Sequence, residues 1–262
     1  MRHLTLSAIV ACCATASAGA QFNTYYQGKV HEGGKDVPAT AQFSIEPGRV
    51  AVVLKGSRAF RMLFLEKDQV LRIVDDTHAM YIDLDKATAS GASAQLAEMQ
   101  KQLEKLPPAQ RAMAQQMMQS HMGDSKEVHS EYVWTTEQKT IAGYETIRVN
   151  VMQGAVKKAE YWGTKSSDFK MSDGQRSTML AMQDYLRNYL IMVTSAGEGS
   201  GEARAFEWDT SVDGYPIVTR CFKGGEMTLE LELVAHDRNA LSSDLFAIPS
   251  GYKKQEVPTM GH

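Results

Sequence analysis

Along most of the chain apolar and polar residues alternate, and turn formers break the alternation at intervals. In "AQFSIE" Ala41, Phe43 and Ile45 alternate with Gln42, Ser44 and Glu46, which gives a strand one buried and one wet face. Pro47-Gly48 turns the chain into "RVAVVLK", and Lys55-Gly56-Ser57, Lys67-Asp68 and Asp75-Asp76 punctuate the runs that follow. Between Phe22 and Leu84 this predicts four or five strands at roughly ten-residue spacing, an antiparallel meander. Strands resume at "KEVHSEYVWT", "TIAGYETIRVNVM" and "AVKKAEYWGT", where Ile147, Val149 and Val151 repeat the period of two. Further strands are expected at "RAFEWDT", at "YPIVTRCF" after Asp213-Gly214, and at "EMTLELELVAH" after Gly224-Gly225. In the last of these Met227, Leu229, Leu231 and Leu233 oppose Thr228, Glu230 and Glu232. The period assigns Phe43, Ile45, Ile82, Val149, Val151, Phe206, Trp208, Leu229 and Leu231 to one apolar face.

Helical spacing interrupts the strands twice. Over 90–123 the sequence reads "SAQLAEMQKQLEKL", a Pro107-Pro108 break, and "AQRAMAQQMMQSHM" stopped by Gly123, which predicts two short amphipathic helices. Over 174–195 Met179, Met182, Leu186, Tyr189 and Leu190 lie three and four apart on one side of a third helix. The loop "SAGEGSGEA" that follows is flexible by composition. No repeat or long linker divides the remainder. The prediction is one domain over 21–262, mainly β with inserted helices (α+β), in which one antiparallel sheet keeps a continuous apolar face under the helices.

The start of the chain changes the picture of where this domain works. Residues 1–20 carry Arg2, an uncharged apolar run of about 15 residues, short of the ~20 of a spanning helix, and then Ala18-Gly19-Ala20. This is the form of a secretory signal cleaved after Ala20, which places the protein in a periplasm. Ile9-Val10-Ala11-Cys12 also fits lipoprotein processing at Cys12. Cleavage after Ala20 leaves Cys221 as the single cysteine, so no intramolecular disulfide forms and the core must hold the fold. Lys and Arg number 28 against 31 Asp and Glu, with no basic stripe, which argues against nucleic acid as a partner.

Several stretches resemble the periplasmic lipoprotein carriers, the LolA and LolB group. Within "LKGSRAFRMLFLEKDQVLRIVDDTHAMYIDLD" these are Phe60-Arg61, Gln69, Asp75-Asp76 and Tyr81-Ile82-Asp83, and the chain end "LFAIPSGYKKQEVP" is similar to their closing motif. The ending, an "IAGYET" hairpin and a "GYPI" turn also resemble an uncharacterised family of exported bacterial proteins, over about Phe22 to Pro258. The resemblance implies a curved half-barrel sheet covered by helices, with an apolar cavity for an acyl chain or other hydrophobic ligand and a lid that opens. It implies Lys55 or Arg58 as the lid latch, although the carriers' Lys-Arg-Pro is absent here.

In "RAMAQQMMQSHM" Met113, Met117 and His121 fall within about 80° of one another on a helical wheel, and Met118 and Met122 widen the apolar side. Copper(I), fixed core and a movable lid are the competing readings. Half a helix of methionine spreads its donors, so no metal or other cofactor is expected. The Pro107-Pro108 hinge points to a lid. The expected ligand-binding set is therefore Met113, Met117 and Met118, with Met179, Met182, Leu186, Phe43 and Trp208. Catalytic signals are missing: "HEGGK" at His31 has Lys35 where a zinc protease needs its second His, and no strand leads into "GEGSG". Cys221, between Arg220 and Phe222, reads as a half-buried structural thiol. The sequence thus predicts a non-enzymatic protein that binds lipid or an acyl chain, touching a membrane transiently at most, or else an envelope module that binds a protein partner through the same fold.

Overall fold

A computed structural model describes residues 21–85, 107, 110–111, 131–195 and 214–256. Its strands are β1 (Phe22–Glu32), β2 (Lys35–Glu46), β3 (Arg49–Lys55), β4 (Ala59–Leu65), β5 (Val70–Asp75), β6 (Met80–Leu84), β7 (Glu131–Ile141), β8 (Tyr144–Gln153), β9 (Val156–Thr164), β10 (Tyr215–Lys223), β11 (Glu226–Asp237) and β12 (Lys253–Lys254). Helix α1 spans Asp173–Ser195. All twelve strands form one sheet in the order β12-β6-β5-β4-β3-β2-β1-β11-β10-β9-β8-β7, open and curved. Every neighbouring pair is antiparallel except β12 on β6. The region before Leu84 thus holds six strands rather than four or five. The helical insert predicted over 90–123 and the strand predicted at "RAFEWDT" lie outside the described residues, apart from 107, 110 and 111.

The period-two reading of the inner face agrees with the register. Ile45 pairs with Val50, which pairs with Phe64, which pairs with Leu71, and all four are at most 1% exposed. Phe43, Val149, Val151, Leu229 and Leu231 are buried in the same cluster, and Ile82 packs against it. Phe206 and Trp208 lie outside the described residues. Cys221 is fully buried rather than half-buried, because its position in β10 faces this core between Ala159 and Leu229. The strand β1 sits at the middle of the sheet, and its Gly28 approaches β11 so closely that a Cβ would lie 1.8 Å from the Glu230 carbonyl oxygen. Only glycine allows that approach.

Helix α1 lies against β2, β3 and β5. Ser172 and Gln175 cap its start reciprocally: the Ser172 amide donates to Gln175 Oε1 and the Gln175 amide to Ser172 Oγ. Thr178 Oγ1 accepts from the Gly48 amide at 2.8 Å, tying the helix to the β2–β3 turn. Tyr185 Oη lies 2.7 Å from the Gln69 carbonyl and 2.9 Å from that of Leu84, tying it to the β4–β5 turn and to β6.

The opposite face of β3–β6 is covered by the C-terminal tail. Ala51, Leu63 and Val74 pack with Phe246, Leu245, Ile248 and Tyr252. Arg61 holds this tail: its guanidinium pairs with Asp76 at 2.9 Å and donates to the carbonyls of Leu245 (3.3 Å) and Ala247 (3.0 Å). Tyr252 Oη donates to the same Asp76 carboxylate at 3.0 Å. Beyond it, the amides of Lys253 and Gln255 donate to the carbonyls of Ala79 and Tyr81, which lays β12 along β6.

Candidate apolar binding site on β7–β10

The other end of the sheet is built differently. Trp134 pairs with Val149 and Val149 with Tyr161, so an aromatic, a β-branched and a second aromatic residue line up across β7, β8 and β9 on one face. One step along, Ile147 pairs with Gly163, which has no side chain, and Gly163 pairs with Pro216. A register shift between Pro216 and Val218 and another between Trp134 and Gln138 interrupt the regular pairing there. The space left is a cavity of about 320 Å³. Tyr132, Trp134, Ile147, Val149, Tyr161 and Pro216 make its apolar wall, and Glu145 and Lys165 stand among its polar lining residues.

The polar side chains of this cavity are mostly committed elsewhere. Thr146 donates to the Lys139 carbonyl at 2.7 Å, Thr164 to Asp168 at 2.7 Å, and Glu145 accepts from Thr140 at 2.6 Å. Tyr215 is fully buried, 2.6 Å from Thr24 Oγ1. Burial pushes its phenol up to about 12, so it stays neutral. The arrangement suits an apolar group. Among the described residues no group of three or more His, Cys, Asp or Glu side chains is placed to hold a metal ion.

On the outer face behind this site the residues are charged and paired. Glu160 is buried yet bonded to Lys157 (2.9 Å), to Arg220 (2.9 Å) and to the Trp162 indole, and Arg220 continues to Glu230 (2.8 Å). Burial raises the Glu160 carboxyl, but the hydrogen bonds and charges of Lys157 and Arg220 outweigh it and hold the group below the ordinary range.

The residues expected from sequence to bind ligand lie elsewhere. Phe43 is in β2, and Met179, Met182 and Leu186 are on α1, all closed off in the core at 2% exposure or less. Met113, Met117, Met118 and Trp208 lie outside the described residues. Lys55 ends β3 and Arg58 follows it in the turn; both are exposed and neither makes an ion pair among the described residues. Arg61, in contrast, is paired, and it holds the tail. His31 lies beside Asp36 across the β1–β2 hairpin. Tyr132, Trp134, Tyr161, Gly163 and Pro216 were not singled out by the sequence reading. The available signal was "YVW" at 132–134, three large residues in a row where alternation requires one of them to face solvent.

Compared with known protein families and with curated proteins, the chain matches none. Among solved structures it is similar to MucB at 10% identity and a TM-score of 0.33, covering 90% of this chain and 59% of that one. It is likewise similar to the MucA/MucB complex of Pseudomonas aeruginosa (9%, TM-score 0.34, 89% and 57%) and to MucB in complex with the periplasmic part of MucA (9%, 0.33, 90% and 57%). The chain therefore spans a little under three fifths of those proteins, and at these scores the likeness carries no inference about its partner.

Proposed function

We propose that this is an exported, non-catalytic envelope protein that binds a partner protein by taking one of the partner's apolar groups into the cavity between β7 and β10. The observation that carries the reading is that an open apolar space at this end of the sheet also exposes part of its aromatic wall: Trp134, which lines it, is 47% exposed. Apolar surface left open beside a cavity marks an interaction site. Export is supported by the charged-then-apolar form of residues 1–20, and among the described residues no helix is long and apolar enough to cross a membrane.

An acyl chain is the second reading, favoured by the apolar lining. Against it, the space under α1 where a carrier would keep its cargo is filled by Met179, Met182 and Leu186. The cavity that remains is at the small end of the roughly 300–1,000 Å³ of ligand pockets.

The reading is tested by titrating the full chain with anilinonaphthalene sulfonate. The wild-type protein is expected to enhance its fluorescence, and Trp134→Ala to weaken binding about tenfold with unchanged circular dichroism. Equal binding by both proteins would place the apolar site elsewhere. Displacement of the dye by dodecanoate, with dodecanoate retained in native mass spectra, favours the acyl reading.

A further inference from the structure

We propose that the group the cavity takes is the C-terminal residue of the partner chain, its apolar side chain lying against the aromatic wall and its terminal carboxylate meeting Lys165. This rests on the binding reading above and names the part of the partner that enters. The fold has already used most of the polar groups in the site. Thr146 and Thr164 donate to the Lys139 carbonyl and to Asp168, Glu145 accepts from Thr140, and Tyr215 is bonded to Thr24. Tyr132 and Tyr161 are engaged as well. Three polar side chains of the lining are left with no hydrogen bond or ion pair among the described residues: the Trp134 indole, the Gln138 carboxamide and the Lys165 ammonium.

All three carry N–H donors, and the one full charge among them is positive. What the site lacks is therefore an acceptor, and a carboxylate is the acceptor that also matches the charge. The donors stand on both sides of the apolar floor. Gln138 pairs with Ile147 and Ile147 with Gly163, so Trp134 and Gln138 belong to β7 while Lys165 follows the end of β9, on the far side of β8. A terminal residue has a counterpart for each feature. Its side chain fits the space left at Gly163, its carboxylate meets Lys165, and its own amide N–H meets the Gln138 carbonyl, which accepts.

Two carboxylates stand close to Lys165 and limit the affinity. Glu145 lines the same cavity and Asp168 lies in the short helix that follows Lys165. Each is hydrogen-bonded by a threonine, and neither pairs with Lys165 among the described residues. Glu145 repels an incoming anion, so its removal should strengthen binding. A free fatty acid shares the carboxylate and the apolar body but offers nothing to the Gln138 carbonyl. The cavity, about 320 Å³, is also small for a long chain and suits a single residue.

The test is titration calorimetry on the full chain with acetyl-Gly-Ser-Gly-Phe, ending either in a free carboxylate or in a carboxamide, and with dodecanoate. Wild type is expected to bind the acid peptide at least about tenfold more tightly than the amide, and more tightly than dodecanoate. Lys165→Gln should bring the two peptides within about threefold of each other, Lys165→Arg should restore the preference, and Glu145→Gln should tighten the acid peptide alone, all with unchanged circular dichroism. Equal binding of both peptides by wild type overturns the carboxylate and leaves the apolar-cavity reading standing. A preference that survives in Lys165→Gln overturns the role of Lys165. Dodecanoate bound more tightly than the acid peptide assigns the carboxylate to a fatty acid and overturns the chain terminus. If neither peptide binds while neutral N-phenylnaphthylamine binds wild type and not Trp134→Ala, the terminal residue alone is overturned. Dye binding indifferent to Trp134 overturns both readings.

Discussion

The two ends of this sheet are made from the same kinds of residue but finished in opposite ways. At the β3–β6 end both faces are covered, by α1 on one side and by the C-terminal tail on the other. The sequence of β4, "AFRMLFL", is accordingly apolar almost throughout, and four of its seven residues are buried in succession. At the other end β9 and β10 are buried as deeply, with four and five residues in succession, and the difference is confined to β7, none of whose residues is buried, and to the open cavity beside it. Two-sided burial fixes a strand, as in β4 and β10, whereas β7, buried on neither face, leaves aromatic surface and space for something else. The stable end and the receptive end are thus separated within one sheet.

The sharpest way to break the comparison is to truncate an aromatic residue at each end. Phe64 is 1% exposed and packs against Tyr185, with ring centroids 5.6 Å apart. Phe64→Ala is expected to cost about 3–5 kcal/mol, a large share of the roughly 5–15 kcal/mol that holds a domain together. Trp134→Ala removes a larger ring that is half in water and should cost under about 1 kcal/mol. Urea midpoints for the two variants read the difference directly. Similar losses at both positions would mean that the β7 end is as tightly built as the other.

A smaller effect is expected from the clamp on the tail. Arg61→Ala leaves Asp76 without its guanidinium and two tail carbonyls without a donor, so it should cost about 2–3 kcal/mol. Hydrogen exchange should locate the damage in 245–255 and leave the amides of β7–β10 unchanged. Faster exchange at both ends would show that the tail braces the whole sheet.

Acid provides a graded probe of the same end. Burial raises the Asp83 carboxyl, but hydrogen bonds from Arg72 and Lys254 and their charges outweigh it, so it titrates below the ordinary value. A carboxyl depressed on folding adds stability above its unfolded pKa, about 4, and loses it as pH falls through the folded value. Asp83→Asn should therefore be less stable than wild type at neutral pH, and the gap should close as the solution is acidified below about pH 4. A gap that stays constant with pH would remove the ion pairs from the account. Glu160 is depressed in the same way at the other end, so acid weakens both and isolates neither without this substitution.

How much of this was legible follows from which regularities each part obeys. Strands with one buried face announce themselves by alternation, as "EMTLELELVAH" does, where Leu229, Leu231 and Leu233 are all buried and Glu232 is not. Helix α1 was legible from its three-and-four spacing, to within a residue of Asp173–Ser195. The tail was not, because Leu245, Phe246, Ile248 and Tyr252 follow no period and pack only once Ala51, Leu63 and Val74 are brought beside them. Its anchors stood in the sequence as the Phe60-Arg61 and Asp75-Asp76 motifs of the resemblance, which gave their positions without their task. The cavity was harder still, since it depends on two register shifts and on a missing side chain at Gly163.

That missing side chain gives the smallest and most selective prediction. A Cβ built on Gly163 meets only the Tyr215 carbonyl oxygen, at 3.8 Å, which is ordinary contact. Valine suits a strand better than glycine does, because glycine gives up more backbone freedom and packs nothing. Gly163→Val should therefore fold normally and shift stability by no more than about 0.5–1 kcal/mol, in the stabilising direction. The added methyl groups also project at a residue that lines the cavity, so they occupy the space proposed for the partner's side chain. The variant should melt at or slightly above the wild-type temperature and bind anilinonaphthalene sulfonate at least about tenfold more weakly. Stability and binding then move in opposite directions from one substitution, which is the behaviour of a space kept open at some cost to the fold. Unchanged dye binding in a well-folded Gly163→Val protein would show that the gap beside Gly163 is a packing defect and not the site.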